Sequence, residues 1–203
     1  KALVTARHLK SSDYLAMLEE LAPELPQSTP GELAAARLPT LRWVIKLGET
    51  ERPGCLTFEA LRSRAGDVDR ERLAAVRPTL QADDAINIQF TSGTTGAPKG
   101  ATLSHFNILN NGRLVAATQR FTAEDRLCIP VPLYHCFGMV MGVLGCVTHG
   151  AAMIFPDEAF EPRSVLEAVQ AERCTALYGV PTMFIAELGL PEFADFDLST
   201  LRT

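Results

Sequence analysis

Apolar residues along this chain fall in short clusters, and the clusters alternate between strand-like runs and helical stripes. Residues 2–5 read as a short strand. Ser11 or Ser12 then offers an N-cap, with Tyr14, Leu18 and Leu21 on one helical face before Pro23 and Pro26 end the helix. Residues 27–39 mix Pro, Gly, Ser and Thr and read as a loop, whereas Trp43, Val44 and Ile45 mark a strand over residues 41–47. Residues 49–55 form a turn, and Thr57 caps a helix containing Phe58 and Leu61. Residues 69–76 form a charged helix on a solvated face.

The second half is a run of strand–helix units. An apolar strand over residues 86–90 leads into a Gly- and Thr-rich loop, and residues 101–103 return from it. Ser104 caps a helix whose stripe is Ile108, Leu109, Gly112, Val115 and Ala116. Strands are predicted over residues 127–131, 151–155 and 175–178. Helices are predicted over 137–147, from Pro162, and from Pro181 to near Gly189. This alternation predicts an α/β fold of layered parallel or mixed sheets with flanking helices. The charged stretch 63–84 is the natural junction, giving lobes 1–82 and 83–203.

Composition narrows the classes. With 47% hydrophobic residues and a net charge of −5, the chain is globular and disfavours nucleic acid as a partner. Five cysteines without Cys-x-x-Cys spacing predict neither a disulfide framework nor a zinc site, and fit buried thiols in a reducing compartment. The chain opens on a strand-like run and not on a leader. Residues 127–155 lack any Asp, Glu, Lys or Arg, but Pro130, Pro132, Gly138, Gly142, Gly145 and Gly150 divide them. The uninterrupted part is shorter than the ~20 residues a membrane span needs, so no transmembrane segment is predicted.

The candidate chemistry centres on Thr91-Ser92-Gly93-Thr94-Thr95-Gly96-Ala97-Pro98-Lys99-Gly100. Its glycines can take positive φ, successive amides can form an anion-binding concavity, and the hydroxyls and Lys99 add donors. The order of residues is not that of a Walker A loop, and no Gly-x-Gly-x-x-Gly fingerprint occurs. A polar surface turn is the plain alternative. If residues 101–103 are a return strand, the loop acts through its own amides and not through a helix N-terminus.

Two further segments follow predicted strands, where ligands collect in open α/β sheets. Pro132-Leu133-Tyr134-His135-Cys136-Phe137-Gly138 carries a histidine among aromatics; a histidine satisfied by the backbone is the alternative. The adjacent Cys136 makes no nucleophile pair with His135, since neighbours at a strand end point apart and no third group orients them. Tyr178-Gly179-Val180-Pro181-Thr182-Met183-Phe184 offers close backbone approach and an apolar wall, or plain core.

The run 90–100 resembles the signature loop of the adenylate-forming (AMP-binding) enzymes. The longer stretch 84–110 looks most like the medium-chain fatty acyl-CoA synthetases. The segments at His135 and Tyr178 resemble the family's Pro-Leu-Phe-His-x-x-Gly and Gly-Val-Pro-Thr-Met segments, with Tyr134 in place of phenylalanine. The resemblance implies part of an acyl-CoA synthetase N-terminal domain. In it Thr91, Ser92, Gly93, Thr94, Thr95, Gly96, Ala97, Pro98 and Lys99 hold the ATP phosphates. His135, Phe137, Gly138, Tyr178, Gly179 and Thr182 border the acyl substrate. It also implies ATP and Mg2+, with CoA as co-substrate and a fatty acid as partner.

The family's Tyr-Gly-x-Thr-Glu and Thr-Gly-Asp segments, and the C-terminal domain with its catalytic lysine, lie outside these residues. No catalytic residue and no metal ligand is therefore assigned. The expectation is an internal piece, inactive by itself, that self-associates through uncovered apolar surface. An aryl-CoA ligase and a non-catalytic nucleotide- or phosphate-binding module are the alternative functions. A bacterial cytoplasm fits the composition, with a mitochondrial matrix as the alternative.

Overall fold

The computed structural model describes residues 1–9, 11–92 and 96–203. These form two compact units, Lys1–Thr79 and Leu80–Thr203.

In the first unit, β1 (Ala2–Thr5), β4 (Trp43–Lys46) and β5 (Leu56–Thr57) form a parallel sheet in the order β1-β4-β5. A small antiparallel hairpin, β2 (His8–Leu9) with β3 (Ser12–Asp13), precedes α1 (Tyr14–Leu21). The N-cap of α1 is Asp13, not Ser11 or Ser12: the helix begins at Tyr14, and the Asp13 side chain accepts the Ala16 N–H at 2.9 Å. Leu15, Leu18, Leu25, Leu33 and Val44 make the core. Thr57 caps α2 (Phe58–Arg62) as expected, accepting from the Ala60 N–H. The charged helix α3 (Asp67–Val76) buries no residue, so it contributes a solvated surface rather than core.

In the second unit, β6 (Ala85–Thr91) and β7 (Lys99–Ser104) form an antiparallel hairpin. Ser104 then caps α4 (His105–Thr118), accepting the Asn107 N–H. Ile108, Gly112 and Ala116 of the predicted stripe are buried, but Leu109 is exposed. A parallel sheet follows in the order β10-β8-β9, from β8 (Arg126–Cys128), β9 (Ala152–Ile154) and β10 (Ala176–Leu177). The charge-free stretch is strand, helix, strand as expected. The helix itself is π-wound over Phe137–Leu144 and becomes α only in α5 (Gly145–His149). Gly112 of α4 lets this helix approach closely: a Cβ there would lie 2.7 Å from the Val140 carbonyl oxygen. Helices α6 (Pro162–Ala171) and α7 (Pro181–Leu188) begin at proline, whose fixed φ suits a first helical turn.

The core beneath this sheet contains Leu127, Ile129, Val131, Cys146 and Tyr178. All five cysteines are free thiols; Cys128, Cys146 and Cys174 are buried, while Cys136 is exposed, against the expectation of burial. Cys136 stands at the start of the π-wound helix, outside the packed layer. Among the described residues no helix is long and apolar enough to cross a membrane.

Candidate nucleotide- and acyl-binding site

The hairpin fixes both ends of the Gly- and Thr-rich loop. Thr91 pairs with Lys99 in the last rung of the ladder. Gly93, Thr94 and Thr95 lie outside the described residues. Gly96 has φ +87° with open space where a Cβ would stand, so conformation and not packing demands glycine there. Gly100 differs from expectation. It lies in β7 outside the positive-φ glycines, and a Cβ on it would meet Ile88 Cγ2 at 3.0 Å. Its value is room for the side chains beside it.

Thr91, Ser92, Ala97, Pro98 and Lys99 are all exposed. Among the described residues no carboxylate pairs with Lys99, so its ammonium is available to an anion. The strand leading in is not buried, contrary to the sequence reading: Ile88 is 63% and Phe90 68% exposed. Among the described residues the hairpin pairs with no further strand, and the strand's half-buried positions are the alternate Asn87 and Gln89. The Gln89 side-chain amide donates to the Tyr134 carbonyl at 3.3 Å, tying the β6–β7 hairpin to the His135 segment.

The other two segments emerge from neighbouring parallel strands. Leu177 of β10 lies opposite Cys128 of β8, and the Tyr178 N–H donates to the Cys128 carbonyl at 3.1 Å. The chain after each strand therefore starts from the same end of the sheet. The Phe137 and Tyr178 rings meet with centroids 5.0 Å apart and planes tilted by 34°. Tyr178 is buried, and its hydroxyl donates to Gln119 Oε1 at 2.5 Å. Burial pushes its phenol above the ordinary value, so it stays neutral.

Gly138 sits under this pair, where a Cβ would come within 2.5 Å of the Pro132 carbonyl oxygen. Gly179 faces the Phe184 ring at 2.9 Å from a Cβ position, and Thr182 is exposed in the first turn of α7.

His135 is exposed, and its Nδ1 accepts the Phe137 N–H at 3.1 Å. That bond assigns the proton of the neutral ring to Nε2. Cys136 Sγ lies 3.7 Å from the same Nδ1, so the two neighbours do not point apart as a strand end would make them. They occupy the turn that opens the π-wound helix. Since Nδ1 is already engaged by Phe137, this contact does not make a nucleophile–base pair.

Sequence reasoning missed Gln89, Gln119 and the buried carboxylate of Asp125. Asp125 accepts from Arg202 Nε at 2.9 Å, Arg202 Nη2 at 2.6 Å and Thr175 Oγ1 at 2.7 Å. These bonds, Arg202's above all, hold its carboxyl well below the usual range. The partners are 50 and 77 residues away in sequence, and no local pattern announces them.

Among the described residues no group of three His, Cys, Asp or Glu side chains is placed to hold a metal ion. Residues 91–100 carry no carboxylate either.

A parallel sheet flanked by helices, with a Gly-rich antiparallel hairpin in the same unit, defines the class as an α/β protein. The AMP-binding enzyme family profile matches residues 3–203, and the chain belongs to that family. YngI of Bacillus subtilis (strain 168), which carries an acyl-CoA synthetase name, is 46% identical over 202 residues; the match takes in 100% of this chain and 37% of YngI. The mitochondrial medium-chain acyl-CoA ligase ACSF2 of Danio rerio is 42% identical over 203 residues, with 99% of this chain and 33% of that protein covered. The chain thus spans about a third of the length of these relatives. A crystal structure of the anthranilate CoA ligase AuaEII with anthranoyl-AMP shares the fold, at a TM-score of 0.71 and 24% identity over 99% of this chain and 35% of that one.

Proposed function

We propose that the intact protein is an ATP-dependent acyl-CoA synthetase acting on a fatty acid. The carboxylate attacks the α-phosphate of ATP, pyrophosphate leaves, and the thiol of CoA then displaces AMP from the acyl-adenylate. The observation that carries this reading is the bond from Gln89 to Tyr134, which sets the phosphate hairpin against the segment bearing His135, Phe137 and Gly138. Lys99 and the amides and hydroxyls around Gly96 hold the β- and γ-phosphates as charge separates. Phe137, Gly138, Tyr178, Gly179 and Thr182 shape the wall that receives the acyl chain. His135, with Nε2–H directed away from its own backbone bond, donates to the carboxylate. ATP, a fatty acid and CoA are the small-molecule partners, and the names of the relatives support the fatty-acid reading over an aryl one.

Pyrophosphate release by the intact protein, measured over a panel of fatty and aryl acids with ATP and CoA, tests it. Turnover with medium-chain acids is expected. Preference for benzoate-type acids would move the assignment to an aryl-CoA ligase, and no turnover with any acid would support a non-catalytic phosphate-binding module. The 203-residue chain alone is expected to show none, because it carries no adenine slot, magnesium ligand or catalytic lysine of the kind the family uses.

A further inference from the structure

Helices α6 and α7 and residues 193–203 border an open cleft of about 480 Å3, which shares Phe184 alone with the candidate segments above. That volume lies within the roughly 300–1,000 Å3 of small-molecule sites. Its wall is apolar, made by Leu166, Leu177, Phe184, Phe193 and Leu198, with one carboxyl, Glu187, among them. Glu187 is only 3% exposed, and its Oε1 has no hydrogen-bond partner among the described residues. A buried acceptor left unmatched is costly, and a bound donor would relieve the cost.

The charges around Glu187 decide which donor. Arg202 also lines the pocket, but its guanidinium is committed to Asp125 and to the carbonyls of Gln119 and Arg120. Glu192, beside Phe193, is ion-paired with Arg163. The Cys128 thiol behind Glu187 is pushed up by its hydrogen bond to Cys174 and by burial, so it remains neutral. Among the described residues that line the cleft, Glu187 is therefore the charge carrier without a compensating partner. A carboxylate ligand would set two anions together, and an alcohol would satisfy the hydrogen bond but not the charge.

We propose that this pocket binds a primary alkylammonium, its chain against the Leu and Phe side chains and its ammonium on the Glu187 carboxylate. The site does not depend on the acyl-CoA reading.

Calorimetric titration of the full chain with n-hexylamine and 1-hexanol at pH 6, 7 and 8 tests it. Burial raises the Glu187 carboxyl to about 7. A group titrating there is about one-tenth ionised at pH 6 and nine-tenths at pH 8, so hexylamine affinity should rise about tenfold across that range. Hexanol should bind more weakly and without pH dependence. Glu187→Gln keeps the shape and should abolish the pH dependence, weaken hexylamine about tenfold at pH 8, and leave hexanol unchanged. Equal affinity for the two probes, a flat pH profile for the amine, or no binding of either by the unaltered chain would overturn the proposal.

Discussion

The side-chain amide of Gln89 reaches the backbone carbonyl of Tyr134 across 3.3 Å, joining the strand that enters the phosphate loop to the segment that carries His135. The residues are 45 positions apart, so this bond is a tertiary register between two candidate subsites. A neutral hydrogen bond contributes about 1 kcal/mol net. Gln89→Ala in the intact protein should lower kcat/KM for ATP about fivefold by misaligning the two segments, with a change in unfolding free energy under about 1 kcal/mol. A full loss of folding, or unaltered kinetics, would remove the positioning role.

Gly138 permits a close backbone approach. Its missing Cβ would stand 2.5 Å from the Pro132 carbonyl oxygen and 2.9 Å from that of Val131, and backbone atoms there cannot rotate aside. Gly138→Ala should cost about 1–3 kcal/mol, read by urea unfolding, and should displace Phe137 from Tyr178. The atoms nearest a Cβ at Gly179 belong to the Phe184 side chain, which can shift, so Gly179→Ala should cost less.

The Asp125–Arg202 pair predicts an acid-labile second unit. The folded carboxyl is held below its ordinary 3.8, first by Arg202, so the stability it contributes is fully present above that value and is lost as pH falls below it. Arg202→Ala leaves a buried carboxylate without its cation and should cost about 3 kcal/mol at pH 7. Chemical denaturation at pH 7 and pH 3 should show the variant's deficit shrinking at the lower pH.

Glu187 has the opposite sign. Its carboxyl moves from 4.5 to about 7 on folding, because burial disfavours the charged form. The folded chain then holds a proton that the unfolded chain releases, so stability declines as pH rises from 4.5 towards 7 and the loss is complete above it. Glu187→Gln should therefore stabilise the chain at pH 8, by on the order of 2 kcal/mol, and leave it nearly unchanged at pH 4.5.

Ile86, Ile88 and Phe90 present exposed apolar side chains from one hairpin strand. We expect the 203-residue chain to self-associate through this face. Light scattering at micromolar protein should give a mass above that of one chain, and Ile88→Thr with Phe90→Ser should restore the monomer; a monomer without substitution would contradict this.

Much of the fold was legible because local rules governed it. Thr57 and Ser104 cap the helices they precede, Pro162 and Pro181 open theirs, and the apolar runs fall where strands form. The exceptions have tertiary causes. Asp13 and not Ser12 is the cap because the helix begins at Tyr14, after a short hairpin that takes in both residues. The exposure of Ile88 could not be read from its hydrophobicity, since it depends on what pairs with the hairpin and which face turns inward. At the candidate site, composition and order single out residues 91–99, whereas the bond between Gln89 and Tyr134 is long-range and no local pattern announces it.

Lys99, exposed in the rung next to the turn of the hairpin, is the residue proposed to grip the phosphates of ATP. The direct measurement is ATP-dependent pyrophosphate release by the intact protein carrying Lys99→Ala, with octanoate and CoA. Loss of one charge-assisted hydrogen bond, worth about 1.5–3 kcal/mol, should lower kcat/KM for ATP at least tenfold, with Tm unchanged because the side chain supports no packing. Unaltered use of ATP by the variant would contradict the account.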